Sequence, residues 1–230
     1  MTSYRFTGTN RSVTCQDGIG WMRRRSGETA KGGAEQKRTK ADTKLAGDKV
    51  FDVAADLFYR EGIRAVGVET IVNRAGVAKI SLYRSFASKD DLIVAYLEDR
   101  NAGYWRDVDR MMARRPAEPR AQLRALIRHI ADRATTPGYR GCPFINYAAE
   151  FPDPSHPGHR VVAANKLEMR QRLAGLAKAM GASQPARLAD ALFLLIEGAY
   201  AGSQTLGGPD GPAAALPHAS DALIACHIGE

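Results

Sequence analysis

The chain has 230 residues, of which 44% are hydrophobic and 25% are charged, and its formal net charge is +8. This length and composition are typical of a globular protein with one large or two small hydrophobic cores. The longest strongly apolar run, Leu192–Ile196, is far shorter than the roughly 20 residues that cross a bilayer, so we expect no membrane association. We expect a cytoplasmic protein, because polar residues rather than an apolar stretch follow the basic cluster Arg23–Arg25.

The excess positive charge is concentrated near the N-terminus. Residues 1–44 hold 10 Lys and Arg against 4 Asp and Glu, whereas residues 45–115 hold 12 against 11 and residues 116–230 hold 11 against 10. Residues 1–41 also lack hydrophobic periodicity, and we predict that they form a disordered basic tail. Such a tail can contact a phosphate backbone without sequence preference, so the net charge alone does not identify a protein that reads DNA sequence.

Cysteine and histidine residues offer an enzymatic alternative. Cys15, Cys142 and Cys226 are odd in number and widely spaced, which argues against a disulfide framework or a structural zinc site. Cys142 with His156 or His159 could form a thiol–imidazole pair, and the loop that contains both histidines could form a weak metal site. No nucleophile motif surrounds Cys142 and no second ligand cluster follows, so we predict neither catalysis nor a bound metal or cofactor.

Helical periodicity begins at about Asp42, and no segment alternates as a strand would. Apolar residues recur at spacings of three and four from Val50 to Phe58, and Gly62 then provides a C-terminal cap. No helix is predicted between Ala134 and Val161, where two proline-containing loops lie. The predicted fold class is all-α. Further helices are predicted at Val68–Ala75, Lys79–Phe86, Ser88–Met112, Arg120–Ala134, Val161–Met180, Ala186–Ser203 and Ala213–His227.

Two of these helices, Val68–Ala75 and Lys79–Phe86, are short and are separated by about three residues that include Gly76. Glycine can adopt the positive φ that such a turn needs. Two short helices joined in this way form a helix-turn-helix, whose second helix lies in the major groove of DNA. Ser88 and Asp91 have the spacing of a capping box, which predicts the start of the next helix.

The second short helix divides into an inward and an outward face. At about 100° per residue, Ala78, Leu82 and Phe86 are predicted to face the protein. The opposite face combines an exposed apolar residue with hydrogen-bonding groups, a combination that suits duplex DNA. The predicted DNA contacts are Lys79, Ile80, Ser81, Tyr83, Arg84, Ser88 and Lys89.

The side chains predict different contacts with DNA. Arg84 can pair with guanine or phosphate and Ile80 can pack on a thymine methyl, so these two are the predicted base readers. Ser81 and Tyr83 are suited to donate hydrogen bonds to phosphate oxygens. Lys89 lies in the first turn of a helix, where the macrodipole disfavours a cation unless a phosphate binds there. The alternative is a solvated helix face with one stray apolar residue.

Residues Gly62 to Arg100 resemble the DNA-binding domain of the TetR family of bacterial transcriptional regulators. With the Val50–Phe58 helix, the resemblance covers about fifty residues. It is carried by Gly62, Ile71, the Ala75–Val77 turn, Lys79, Leu82–Tyr83, Phe86, Ser88–Lys89 and Leu92. The sequence departs from the common pattern where Val66–Gly67 replace Thr or Ser, where Ile80 replaces a small residue, and where Ser85 replaces an aromatic one. These departures leave the operator sequence open.

The resemblance implies a homodimer that binds a pseudo-palindromic operator. Residues 42–88 would form the helix-turn-helix domain, and residues 89–230 a helical domain for effector binding and dimerisation. Two apolar stripes on the last two predicted helices are candidates for the dimer interface, with burial in the chain's own core as the alternative. These stripes contain Leu188, Leu192, Leu195, Ile196, Ala199, Ala222, Leu223 and Cys226.

The resemblance also implies that an unidentified small molecule binds among the middle helices and releases the DNA, as in a repressor. Aromatic and Met side chains are candidates for the pocket wall, and Glu197 for a polar anchor, although such residues also form ordinary cores. The candidates are Trp105, Met112, Phe144, Tyr147, Phe193, Glu197 and Tyr200. A different possibility is an architectural DNA-binding protein without sequence preference, which would bind mainly through the basic tail.

Overall fold

The computed structural model describes the backbone of residues 40–228 and the side chains of residues 45–228. Within this range the protein is all-helical, which confirms the predicted fold class. A short 3₁₀ helix, Pro212–Ala215, precedes the last α-helix. The α-helices are α1 (Lys40–Glu61), α2 (Val68–Ala75), α3 (Lys79–Ser85), α4 (Lys89–Ala113), α5 (Pro119–Ala134), α6 (Pro143–Glu150), α7 (Gly158–Ala179), α8 (Pro185–Gly202) and α9 (Leu216–Ile228). The predicted tail, residues 1–41, falls almost entirely outside the described residues.

Local signals in the sequence set several helix ends. Gly62 follows α1 with φ of 95°, and Gly76 follows α2 with φ of 66°, both in the region that favours glycine. At the start of α4 the Asp91 backbone N–H donates to the Ser88 Oγ at 3.0 Å. Ser88 Oγ in turn donates to the Asp91 carboxylate at 2.9 Å, so only one half of the predicted capping box forms.

Helix α6 was not predicted, because the sequence around it is rich in loop-forming residues. The helix has only eight residues and begins with Pro143 in its first turn. Proline suits that position because its missing N–H would have no partner there in any case. Phe144 and Tyr147, three residues apart, are the buried face. An eight-residue segment shows too few repeats for its period to be recognised.

Contacts place residues 40–228 in one compact body, within which α1–α3 are called the helix-turn-helix unit and α5–α9 the larger unit. Helices α2 and α3 pack on α1 around Leu57, Ile71 and Leu82, all of which are almost fully buried. The long helix α4 packs against α1 near its start and against α7 further on, so it belongs to both units. Helices α7 and α8 pack along each other, and α9 contacts α8 and α5. No helix in the described range is long and apolar enough to cross a bilayer.

Candidate nucleic-acid interface

The turn between α2 and α3 is fixed by backbone hydrogen bonds. The Gly76 N–H donates to the Asn73 carbonyl at 3.3 Å, and the Val77 N–H donates to the Val72 carbonyl at 3.1 Å. These bonds satisfy carbonyl groups that the end of a helix leaves without partners. The Gly76 backbone is left-handed, so α2 ends there, and α3 begins three residues later at Lys79. This is the predicted helix-turn-helix.

The inner face of α3 is held by apolar packing. Leu82 is fully buried, and Phe86, just after the helix, is 7% exposed and stacks on Phe51 of α1 with ring centroids 6.4 Å apart. A Cβ atom at Gly47 would lie only 2.5 Å from the Ser85 Oγ, so glycine allows α1 to approach α3 this closely. Packing on both sides therefore fixes the rotation of α3 about its axis.

The outer face of α3 carries large side chains exposed to solvent. Ile80 is 59% exposed and Tyr83 is 46% exposed, and both are among the few large apolar or aromatic side chains exposed in the described range. Arg84, next to Tyr83, is also exposed. On one short helix, Ile80 therefore offers an apolar surface, Tyr83 a hydroxyl group and Arg84 a guanidinium with several N–H donors.

Lys79 lies on the same surface but has a partner within the chain. Its Nζ donates to the Glu69 carboxylate of α2 at 2.5 Å. This hydrogen bond raises the pKa of Lys79 above its ordinary value. The pair is exposed, so a phosphate could compete with Glu69 for the ammonium group at small energetic cost.

Ser81 does not lie on the outer face as predicted. The structure buries it to 3% exposure, and its carbonyl accepts a hydrogen bond from the Ser85 Oγ at 3.3 Å. Ala78, which was predicted to face inward, is instead exposed. Ala78 is the N-cap and has an extended backbone, so helical periodicity does not apply to it. The seven-residue helix buries two adjacent positions, Ser81 and Leu82.

Lys89 also differs from the prediction. Its Nζ donates to the Ile63 carbonyl at 2.8 Å and lies 5.9 Å from the centre of the Phe58 ring. Burial lowers the pKa of Lys89, although Asp90 and Glu150 act in the opposite direction. The cation at the start of α4 therefore has a structural partner in the loop after α1. Contact of Lys89 with a phosphate stays a prediction.

Two contacts that the sequence did not reveal join the helix-turn-helix unit to the segments around α6. The Arg64 backbone N–H donates to the Glu150 carboxylate at 2.7 Å. The Tyr59 hydroxyl, from α1, accepts from the Arg140 N–H at 3.0 Å and donates to the Gly141 carbonyl at 3.3 Å. Each contact joins residues more than 80 positions apart, so no local pattern could have indicated them.

Half of the eight predicted dimer-interface residues lie in the chain's own core. Leu188, Leu192 and Ile196 are fully buried, and Ala199 is 8% exposed. For these four residues the structure supports the intramolecular alternative, because they are buried within the single chain. Of the other candidates, Leu195 and Leu223 are half-buried, and Ala222 and Cys226 are exposed. The residue that the prediction missed on α8 is Leu194, which is 70% exposed.

The predicted pocket residues take part in several separate contacts, and a shared ligand pocket stays a prediction. Glu197 and Tyr200 lie together, because the Lys166 Nζ donates to the Glu197 carboxylate at 2.6 Å and lies 5.8 Å from the centre of the Tyr200 ring. Tyr147 lies elsewhere, with its hydroxyl 2.6 Å from the His156 Nδ1. Trp105 packs against Arg172, with 4.4 Å between the guanidinium carbon and the ring centre. Phe144 is buried, while Phe193 and Met112 are partly buried against the core.

The side chains of the enzymatic alternative are not assembled as a catalytic group. Cys142 is buried with its Sγ 3.7 Å from the Lys166 Nζ. His156 contacts Tyr147, and the His159 Nε2 is bonded to the Phe151 carbonyl at 2.7 Å. Among the described residues no group of three His, Cys, Asp or Glu side chains could hold a metal ion.

The geometry of α1 to α3, with a buried inner face and an exposed outer face on α3, is that of a helix-turn-helix, the class of fold that places its second helix in the major groove of DNA. Residues 50–96 match the family described as "Bacterial regulatory proteins, tetR family", and residues 119–219 match "Tetracyclin repressor-like, C-terminal domain". The chain belongs to the TetR family of bacterial transcriptional regulators.

Solved structures agree with this assignment over nearly their whole length. The TetR-family regulator SCO4454 from Streptomyces coelicolor is 33% identical with a TM-score of 0.75, and the alignment covers 80% of this chain and 97% of that one. The putative regulator sav143 from Streptomyces avermitilis is 31% identical with a TM-score of 0.63, over 76% of this chain and 98% of that one.

A curated relative matches over a shorter segment. The uncharacterized HTH-type transcriptional regulator Rv1255c from Mycobacterium tuberculosis is 36% identical over 63 residues, which are 26% of this chain. The match spans 31% of the length of that relative.

Proposed function

We propose that the protein is a cytoplasmic repressor that binds a pseudo-palindromic operator as a homodimer and is released from it by a small molecule. The observation that carries the DNA-binding part is the exposure of Ile80 and Tyr83 beside Arg84 on α3. Exposed isoleucine is unfavourable in water, and contact with a thymine methyl would remove it from solvent. Arg84 would pair with guanine or with phosphate.

The outward face of α8 supports the homodimer. Ala191, Leu194, Leu195, Gly198 and Ala201 lie along one side of α8, are at least partly exposed, and include no charged residue. An uncharged helical stripe with a leucine 70% exposed is better covered by another protein surface than by water. A second copy would cover it with the same face, together with the exposed side of α9. Two copies of α3 would then read two half-sites.

The contacts between the two units support release by a ligand. Tyr59 and Arg64 belong to the helix-turn-helix unit, and their partners lie in the segment 140–150 of the larger unit. A ligand that moved this segment would change the position of α1, and α3 packs on α1. Differential binding to two such arrangements is what allows a ligand to shift DNA affinity.

Selection of bound sites from random duplex DNA by the purified full-length protein tests the proposal. We expect enrichment of an inverted repeat whose half-sites lie one or more helical turns apart. The matched control is the same protein with residues 1–39 removed. It should select the same sequence, and its affinity for DNA should depend less steeply on salt concentration. No enrichment over input, or loss of all binding on removal of residues 1–39, would contradict the proposal and favour an architectural protein.

A further inference from the structure

A cavity of about 340 Å³ lies between α5 and α9. This volume is within the range of sites that bind small molecules. The side chains that line it include Arg124, Ile127 and Arg128 of α5 and Ser220, Asp221 and Ile224 of α9. None of the residues predicted for DNA contact, dimerisation or effector binding lines it, so the cavity is separate from those sites.

The wall of this cavity contains a buried hydroxyl group without a partner. Ser220 is 1% exposed, and its Oγ has no hydrogen-bond partner among the residues that the structure describes. Hydroxyl groups on helices often donate to the carbonyl four residues earlier, as Thr135 Oγ1 does to the Ala131 carbonyl at 2.9 Å. A buried hydroxyl without any partner is unfavourable and rare. A hydrogen-bond acceptor inside the cavity would satisfy it.

The charges that line the cavity do not cancel. The Arg124 Nε donates to the Asp221 carboxylate at 2.9 Å, which ties α5 to α9 and balances these two charges. Arg128 lies one turn further along α5, and within residues 45–228 it forms no ion pair. The lining therefore carries one positive charge in excess, together with guanidinium N–H donors. Such a lining favours a monoanion over a cation or a neutral molecule.

We infer that this cavity binds a small organic acid with a hydrocarbon body. Its carboxylate pairs with Arg128 and accepts a hydrogen bond from the Ser220 Oγ, because the planar guanidinium matches two carboxylate oxygens. Its body lies against Ile127 and Ile224, which are 2% and 1% exposed and form the apolar part of the wall. This site goes beyond the proposed function, since neither DNA reading nor dimerisation requires it.

A bound acid would join α5 to α9 at a second point, beside the bond between Arg124 and Asp221. Only Leu216, Ser220 and Ile224 are buried on α9. A helix that few buried side chains hold in place opens more readily than the core. Binding should therefore stabilise α9 more than the rest of the chain.

Thermal unfolding of the full-length protein with three acids tests the inference. The probes are benzoate, cyclohexanecarboxylate and hexanoate, each compared with its primary amide, which has nearly the same shape and no charge. At least one acid is expected to raise Tm by roughly 5 °C or more at a hundredfold excess over its Kd, and its amide to have little effect. No rise with any of the three, or equal rises with acid and amide, would overturn the inference.

Hydrogen exchange followed by mass spectrometry locates the bound acid. Peptides from α5 and α9 are expected to exchange more slowly with the acid than without it, and peptides from α2 and α3 to be unchanged. Slower exchange confined to helices other than α5 and α9 would overturn the inference.

Substitution of Arg128 tests the charge of the site. Arg128 is exposed, so Arg128→Gln should leave Tm without ligand nearly unchanged while weakening acid binding at least tenfold by calorimetric titration. The matched control is Arg160→Gln, because Arg160 is also exposed but does not line the cavity, and its Kd should be that of the unmodified protein. Unchanged affinity in Arg128→Gln would overturn the inference whatever the other variants show.

Substitution of Ser220 separates a ligand contact from a structural role. Ser220→Ala removes a buried hydroxyl without a partner, so Tm of the ligand-free protein should stay unchanged or rise. The same change should weaken acid binding roughly tenfold, because a hydrogen bond to a charged group is lost. A lower Tm together with unchanged affinity would show that the hydroxyl serves the fold alone and would also overturn the inference.

Discussion

In the helix-turn-helix unit, apolar and aromatic side chains are exposed while nearby cations have partners. Ile80 is 59% exposed, whereas Lys79 is bonded to Glu69 and Lys89 to the Ile63 carbonyl. In the larger unit most apolar side chains are buried, and the Lys166 Nζ donates to the Glu197 carboxylate at 2.6 Å. The helix-turn-helix unit therefore exposes apolar and hydrogen-bonding groups that DNA would satisfy, whereas the larger unit exposes Leu194, which a second copy would cover.

The largest difference is expected between alanine substitutions of a buried and of an exposed leucine on α8. Leu192 is fully buried, and Leu192→Ala should lower the free energy of unfolding by about 2–5 kcal/mol through loss of packing and a residual cavity. Leu194→Ala, two positions further on and 70% exposed, should change the stability of the folded chain by about 0.5 kcal/mol or less.

Chemical denaturation at one protein concentration measures both changes in stability, and sedimentation equilibrium measures dimerisation. Leu194→Ala should shift the monomer–dimer equilibrium towards monomer, because the leucine is expected to be buried only in the dimer. Dimerisation unaffected by Leu194→Ala and by Leu194→Asp would contradict the assignment of this α8 face to the interface.

The next effect concerns DNA affinity. Arg84→Ala should cost about 1–3 kcal/mol on the selected operator and much less on random DNA, since a base contact discriminates between sequences. Lys89→Ala should weaken binding about equally on both, and it should also lower the free energy of unfolding by about 1 kcal/mol through loss of the bond to Ile63. Fluorescence anisotropy with labelled duplexes of both kinds, at several salt concentrations, measures these differences. If Lys89→Ala weakened binding to the operator but not to random DNA, the assignment of Lys89 to a phosphate contact would be wrong.

A smaller effect is expected at Tyr59, where the two units meet. Tyr59→Phe removes the hydroxyl that bonds to Arg140 and Gly141, at a cost of about 1 kcal/mol in stability. The operator consensus should be unchanged, because Tyr59 is not on α3, but release of the operator by an effector should weaken. Titration of the protein–operator complex with an effector found in a small-molecule screen measures this change. Release identical to that of the unmodified protein would show that coupling takes another route.

The smallest effect is on the dependence of stability on pH. His129, one turn before Arg133, has a pKa lowered by burial and by the Arg133 charge, against the effects of Asp107 and Asp132. The unfolded chain has an ordinary histidine pKa of about 6.5, so below that pH unfolding takes up a proton that the folded protein does not bind. The free energy of unfolding should therefore fall as pH falls from about 6.5 towards the folded pKa, with a slope of at most about 1.4 kcal/mol per pH unit for this group.

The control for this pH effect is His129→Gln, which should remove that part of the slope while leaving the rest of the acid response. Denaturation curves at a series of pH values between about 5 and 8 measure the slope. An unchanged slope in the variant would show that His129 does not titrate in this way.

The two units also differ in how far the sequence predicts them. The helix-turn-helix was predictable because its features are local: a glycine turn, a Ser88 cap and apolar residues at spacings of three and four. The errors at Ser81 and Ala78 arose because α3 is only seven residues long and packs on two neighbours at once, so a single inward stripe is too simple. The bond from Lys89 to the Ile63 carbonyl was not predicted, because the two residues are 26 positions apart.

The contacts within the larger unit could not be predicted from the sequence in the same way. Lys166 pairs with Glu197, 31 positions away, and Asn165 with Asn101, 64 positions away, so only the fold brings these side chains together. Whether a stripe faces the core or a partner is a tertiary property, which is why Leu192 was assigned to the interface and Leu194 was missed.

The most direct test of sequence reading by α3 is to compare the operator consensus selected by the unmodified protein with those selected by Ile80→Ala and Arg84→Ala. Each variant is expected to keep the inverted repeat and its spacing, and to lose preference at one or two base pairs in each half-site. Ser85→Ala, on the half-buried side of the same helix, should select the original consensus. The same consensus from all four proteins would contradict the assignment of base reading to the exposed face of α3.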